Sequence, residues 1–140
     1  MEKLIYLDTN IYLDYLENRT DKLRPLGEFA FQLIKRAIEC EFKIIISSLI
    51  IDELEYNNYS KQIKNLINDL KELNKLIYTE ETKDDEQKAR NLKQKFKTSL
   101  NDTKHAVIAQ RRGAKFLVTR NIKDYGELQN LVKIRFPENL

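Results

Sequence analysis

Leu4-Ile5-Tyr6-Leu7-Asp8-Thr9-Asn10 is the stretch that decides the fold. Four apolar residues make a short buried strand, and the run stops at three residues that favour helix N-caps. Residues 11–17 then read as a short helix. An apolar strand feeding straight into a helix is the first half of a strand–helix–strand unit, whose sheet is parallel and covered on both faces. The pattern repeats outward. Lys43-Ile44-Ile45-Ile46-Ser47 is a β-branched strand, and Ser48 opens a helix through about Tyr56. A helix from Asp102 to Arg112, ended by Gly113, leads into the strand Lys115-Phe116-Leu117-Val118-Thr119. Val132-Lys133-Ile134-Arg135-Phe136 is a further strand, at an edge, and Pro137 ends it.

Between these strands the spacing predicts more helices. Pro25 suits a first turn, and Leu26, Phe29, Ala30, Leu33, Ile34, Ala37 and Ile38 follow a 3.6-residue period. Ile63, Leu66, Ile67, Leu70 and Leu73 mark another, as core or as a dimer contact. Residues 83–97 are polar and helical in propensity. Ile77-Tyr78 reads equally as a short strand or a turn, and Arg19-Thr20-Asp21 as a loop. The expected fold class is α/β: three α/β/α layers around a small parallel sheet with right-handed crossovers, in a single domain over residues 1–140.

Composition excludes several function classes. The 140 residues are 41% hydrophobic and 34% charged, as in a globular protein and not a disordered one. No apolar run approaches the roughly 20 residues that span a bilayer. The opening MEKLIYLD turns acidic early and carries no signal-peptide core, which points to the cytoplasm. Cys40 is the single cysteine, expected to be a small buried hydrophobe, and His105 the single histidine. Disulfide frameworks and Cys/His zinc clusters are excluded, and a Ser-His-Asp triad would have to use His105. With three glycines, no Gly-rich phosphate loop can be written. The net charge of +3 hides an asymmetry. Residues 1–85 carry 12 basic and 17 acidic side chains, and residues 86–125 carry 11 basic and 3 acidic. A clustered basic segment is a footprint for a polyanion.

Open parallel sheets bind ligands beyond the carboxyl ends of their strands. The residues at those ends are Asp8, Thr9 and Asn10; Asp52 and Glu53; and Thr119, Arg120, Asn121 and Asp124. Helix spacing places Asp102, His105, Ala106 and Ala109 on one face, with Asp102 at its N-terminal end. Carboxylates gathered at one edge repel, and a divalent cation relieves that repulsion. All-oxygen ligands favour Mg²⁺ or Mn²⁺ over zinc. An acidic centre beside a basic flank fits a nuclease, in which cations hold the phosphate backbone.

LIYLDTN at 4–10, IDELE at 51–55, NDTKHAVIAQRRGAKFLVTRNIKDY at 101–125 and the closing IRFPENL together resemble PIN domains, most of all VapC-like toxins. The resemblance covers essentially the whole chain. It implies a metal-dependent endoribonuclease, often dimeric and often inhibited by a co-encoded antitoxin. It matches Asp8, Glu53 and Asp102 to metal carboxylates. Many relatives have an Asp two residues after the Thr of the VTR motif, where this chain has Asn121. Asp124 then supplies the fourth carboxylate, and the departure bears on a second metal more than on the first. Asn10, Thr119 and Asn121 are expected to orient carboxylates or the attacking water, and Lys104 and Arg120 to face substrate. RNA over DNA rests on the resemblance alone.

Plainer readings stand beside these. Asp8 could simply cap its helix, and Asn101 or Asp102 the next. Asp52 and Glu55 compete with Glu53, although Glu55 lies about 200° around the helix from it. Asp124 could be a turn residue, and His105 a packed helix residue. Ser47-Ser48 could touch substrate. A phosphatase with Asp8 as nucleophile wants a second Asp at position 10, which is Asn. The main alternative is a non-catalytic PIN-like module that binds RNA or protein.

Overall fold

The computed structural model describes residues 3–20, 23–39 and 41–140. Cys40, and Asp21 of the expected loop, lie outside the described residues. Five strands form one sheet: β1 (Lys3–Leu7), β2 (Phe42–Ser47), β3 (Leu76–Thr79), β4 (Phe116–Val118) and β5 (Lys133–Arg135). Their order is β3-β2-β1-β4-β5, and every pairing is parallel. The central register sets Ile5 against both Ile44 and Phe116. Consecutive residues Ile5, Tyr6 and Leu7 are all fully buried, so both faces of β1 are covered. Ile77-Tyr78 is therefore a strand, held at one edge by β2. The strand at 132–136 sits at the other edge, as its Pro137 stop implied.

The helices are α1 (Thr9–Glu17), α2 (Leu26–Ile38), α3 (Ser48–Tyr56), α4 (Ser60–Glu72), α5 (Lys83–Phe96), α6 (Leu100–Arg111) and the short α7 (Ile122–Tyr125). Two starts differ from expectation. Pro25 sits at the N-cap position of α2, one residue ahead of its first turn. The cap of α6 is Ser99, whose hydroxyl accepts from the Asp102 amide, so neither Asn101 nor Asp102 caps that helix. Asp102's side chain is thereby not the cap, although it bonds to Ser99. In α4, Ile63 and Leu70 are buried and Leu66 and Ile67 pack on the core, while Leu73 is half exposed. The apolar stripe is thus mainly core. Among the described residues, no helix is long and apolar enough to cross a membrane.

A buried ion pair locks α5 to α6. Asp85 is 2% exposed and accepts from Arg111 Nε and Nη2, both at 2.8 Å. The same carboxylate closes a capping box with Thr82 at the start of α5. Arg111 Nη2 also donates to the Glu80 carbonyl just past β3. Arg111 is the last residue of α6, so this clamp fixes the far end of the helix that carries Asp102.

Candidate active site

Asp8 is the N-cap of α1, at the carboxyl end of the central strand. Its Oδ1 accepts from the Thr9 amide at 2.6 Å. Its Oδ2 accepts from the Thr119 hydroxyl at 2.9 Å and from the Tyr125 hydroxyl at 3.0 Å. The capping and site readings of Asp8 are thus compatible, because each oxygen takes one of them. Thr119 Oγ1 in turn accepts from the Asn121 amide at 3.1 Å and from Asn10 Nδ2 at 3.5 Å. Of the three, Thr119 alone bonds to Asp8, and Asn10 and Asn121 reach it only through Thr119, Asn121 by its backbone amide.

Asp102 reaches the same edge because α6 precedes β4. A crossover helix runs antiparallel to the strands, so it starts where they end. Burial raises the Asp102 pKa above the ordinary carboxylate value. The charges of Asp8 and Asp124 add to that rise, against lowering by Ser99 and His105. Asp102 and Asp124 share a cleft of about 430 Å³ with Lys97 and Lys123.

Glu53 is singled out from its neighbours by His105. The His105 ring is 1% exposed, and its Nε2 lies 2.7 Å from Glu53 Oε1 and 3.8 Å from Asp8 Oδ1. Its Nδ1 lies 2.6 Å from the Tyr6 hydroxyl, which lies 2.7 Å from Ser47 Oγ. With a neutral ring the chain is consistent: Ser47 donates to Tyr6, Tyr6 to Nδ1, and Nε2–H to the Glu53 carboxylate. Burial opposes protonation of His105, but the hydrogen bond to Glu53 and the charges of Asp8, Glu53 and Asp102 outweigh it, so its pKa is raised. Burial holds Tyr6 well above the ordinary phenol value, so it remains a donor. Asp52 and Glu55 are exposed, and Asp52 lines the same cleft as Glu53. Glu53 opens on a second cleft, of about 330 Å³, lined also by Tyr56 and Asn101.

The Tyr6–His105 link spans 99 positions of sequence, and Ser47 serves it and the α3 cap rather than facing substrate. Tyr6→Phe leaves Nδ1 buried with no partner. The expected loss is about 1–3 kcal/mol in urea unfolding at neutral pH. A change below about 0.5 kcal/mol would show that the chain contributes nothing to stability.

The two cations expected at substrate are engaged elsewhere. Lys104 is paired with Glu81 at 2.9 Å, and its side chain is 13% exposed. Arg120 is paired with Glu138 at 2.7 Å and faces Asp14 at 3.7 Å, and its side chain is 10% exposed. Long side chains fold onto nearby carboxylates when packing lets them, and here they do. Lys97 and Lys123 are exposed instead, beside the carboxylates. Lys97 stands there because it ends α5 in the left-handed conformation, at φ 55°.

Among the described residues, no three Asp, Glu, His or Cys side chains are drawn together into a ready ligand shell. What they form is a cluster of like charge in which one acid is weakened by its neighbours. A divalent cation suits such a cluster, because it removes the repulsion and its preferred ligands are oxygen.

The PIN domain family model matches residues 5–125. No curated protein matches the chain. Among solved structures, a toxin-antitoxin complex from Klebsiella pneumoniae is similar, with a TM-score of 0.66 and 20% identity, over 95% of this chain and 97% of that one. VapBC2 from Rickettsia felis, bound to a DNA fragment from their promoter, is similar with a TM-score of 0.65 and 21% identity, over 95% and 98%.

Proposed function

The chain belongs to the PIN domain family, and from that premise we propose that it is a metal-dependent endoribonuclease, the toxin half of a VapC-like pair. The observation that carries the reading is the placement of Asp8 at the end of β1, of Asp102 in the first turn of α6, and of Asp124 in the same cleft as Asp102. Asp8, Glu53, Asp102 and Asp124 would hold one or two Mg²⁺ or Mn²⁺ ions. A bound divalent ion supplies polarisation of water and neutralisation of charge on the phosphodiester. The chain's own residues do the rest. Thr119, Tyr125 and the Thr9 amide fix both Asp8 oxygens, so that carboxylate is aligned before any ligand arrives. His105 pins Glu53 and can hold a proton against it. Lys97 and Lys123 are placed to hold the RNA backbone beside the acids.

The similarity to structures described as toxin-antitoxin complexes supports an antitoxin as protein partner. The same reading takes residues 1–140 as one cytoplasmic domain that pairs as a homodimer.

The test is cleavage of total RNA by the purified protein with Mg²⁺, with Mn²⁺ and with EDTA, beside Asp102→Asn. Cleavage that needs both the metal and Asp102 is the expected result. RNA bound without cleavage, and indifferent to metal, would favour the non-catalytic binding module.

A further inference from the structure

Glu53 stands at the surface with its side chain 27% exposed, yet one of its two oxygens is already committed. Oε1 lies 2.7 Å from His105 Nε2. A carboxylate only accepts, so Nε2 carries the proton of that bond. In the neutral ring Nδ1 then accepts from the Tyr6 hydroxyl, Tyr6 accepts from Ser47, and Ser47 Oγ accepts from the Ile50 amide. Each donor in this chain meets one acceptor. Ser47 and Tyr6 are fully buried and His105 is 1% exposed, so water does not compete for any of the bonds. His105 is therefore held as a fixed donor toward Glu53, and Oε2 is the oxygen that Glu53 has left to give.

Asp8 is limited in the same way. Its Oδ2 accepts from both the Thr119 and the Tyr125 hydroxyl, which uses both lone pairs. Its Oδ1 accepts from the Thr9 amide alone and keeps one lone pair. The same His105 Nε2 lies 3.8 Å from that Oδ1, so the ring stands beside both acids. Two carboxylates that each offer a single oxygen discriminate between cations. Ca²⁺ takes about six to eight oxygens and accepts both from one carboxylate, whereas Mg²⁺ takes one from each and keeps several waters. Mn²⁺ suits the same oxygen ligands as Mg²⁺.

On the metal-dependent reading above, we propose that His105 sets the cation choice of this site: by holding Glu53 Oε1 it leaves Glu53 one oxygen, which suits Mg²⁺ or Mn²⁺ and disfavours Ca²⁺. His105 is a positioning residue, because it acts through Glu53.

The test is Mn²⁺ binding to the purified full chain without RNA, read from the electron paramagnetic resonance signal of free Mn²⁺, with Ca²⁺ as competitor at a fixed pH. The parent should prefer Mn²⁺ about tenfold or more. His105→Asn places an amide near the Nδ1 position, where it still meets Tyr6 but falls short of Glu53. The Mn²⁺ preference should then drop about tenfold, the lower end of what a partner one step out from a metal contributes. His105→Gln extends an amide N–H to the Nε2 position and should keep the parent's preference. Urea unfolding on the same samples separates this from stability, since a loosened fold weakens both cations together and leaves their ratio unchanged. Equal affinity of the parent for Ca²⁺ and Mn²⁺ overturns the proposal without any variant. A preference unchanged in His105→Asn, or lost equally in His105→Gln, overturns it too. If the parent cleaves RNA with Mn²⁺ while the preference ignores His105, the nuclease stands and the role of His105 falls. If the preference moves as expected and no RNA is cleaved, His105 keeps its role and the nuclease reading falls. A parent that binds no Mn²⁺ removes both.

Discussion

Asp8→Asn is expected to lower kcat/KM for RNA cleavage by about a hundredfold or more while moving the unfolding free energy by less than about 1 kcal/mol. Partners one step out from a metal typically cost 10–100-fold when removed, and a carboxylate that binds the ion directly should cost at least the upper figure. The small stability change follows from the three contacts of Asp8. Asn caps a helix about as well as Asp, so the bond from the Thr9 amide survives through Oδ1. The other side meets two hydroxyls; Tyr125 can turn to accept from the new amide, while Thr119, which already accepts from Asn121 and Asn10, loses its acceptor, and that sets the small cost. The substitution also removes one of the charges that weaken Asp102 as an acid. Asp102 should then titrate closer to an ordinary carboxylate. The metal-free protein should be as stable as the parent or slightly more so, as when a functional site gives up a built-in repulsion. The checks are initial rates with Mn²⁺ and urea unfolding on the same samples. Activity within tenfold of the parent would remove Asp8 from the reaction. A large loss of stability together with activity would make it a structural cap only.

The parts of this site that local sequence could show are those fixed by local rules. Leu4 to Asn10 announced a buried strand and a cap, and a parallel sheet then brings the ends of β1, β2 and β4 to one edge. Asp8 followed from that alone. Asp102 was less visible, because its place depends on the direction of α6 relative to the sheet. Glu53 could be told from Asp52 and Glu55 by spacing only in part; its partner His105 lies 52 positions away. Hydrophobic periodicity reports that Tyr6 and His105 are buried, but not that they face each other. A tyrosine inside an otherwise aliphatic strand was the available signal, since a buried hydroxyl must find a partner. Tyr125 is the same case, within a quoted motif but given no role. The cations are a different case. Lys104 and Lys123 look alike in sequence, and only the tertiary positions of Glu81 and Glu86 decide which of them stays free.

Arg111→Ala should cost about 3 kcal/mol of stability at pH 7, the largest loss expected from a residue outside the site. It leaves the Asp85 carboxylate, 2% exposed in the parent, with only the bond from the Thr82 amide. Breaking a buried ion pair typically costs 3–5 kcal/mol, and the lower end applies because the Arg111 side chain is 36% exposed. The pH dependence has a definite sign. Burial pushes the Asp85 pKa up, but the bonds from Arg111 and Thr82 outweigh it, so the folded value lies below the unfolded one. The contribution of the pair is then complete above the unfolded value of about 3.9 and is lost as the pH falls through the folded value. Parent and variant should therefore differ by a constant amount near neutrality and draw together below about pH 4. Arg111→Ala combined with Asp85→Asn should recover part of the loss, because it removes the stranded charge. Urea unfolding of the parent and both variants at pH 7 and at pH 3.5 measures all of this. A difference below 1 kcal/mol at pH 7, or one that persists unchanged in acid, would mean that the pair does not hold α5 to α6. In that case Asp102 would owe its position to the Ser99 cap and the core face of α6 alone.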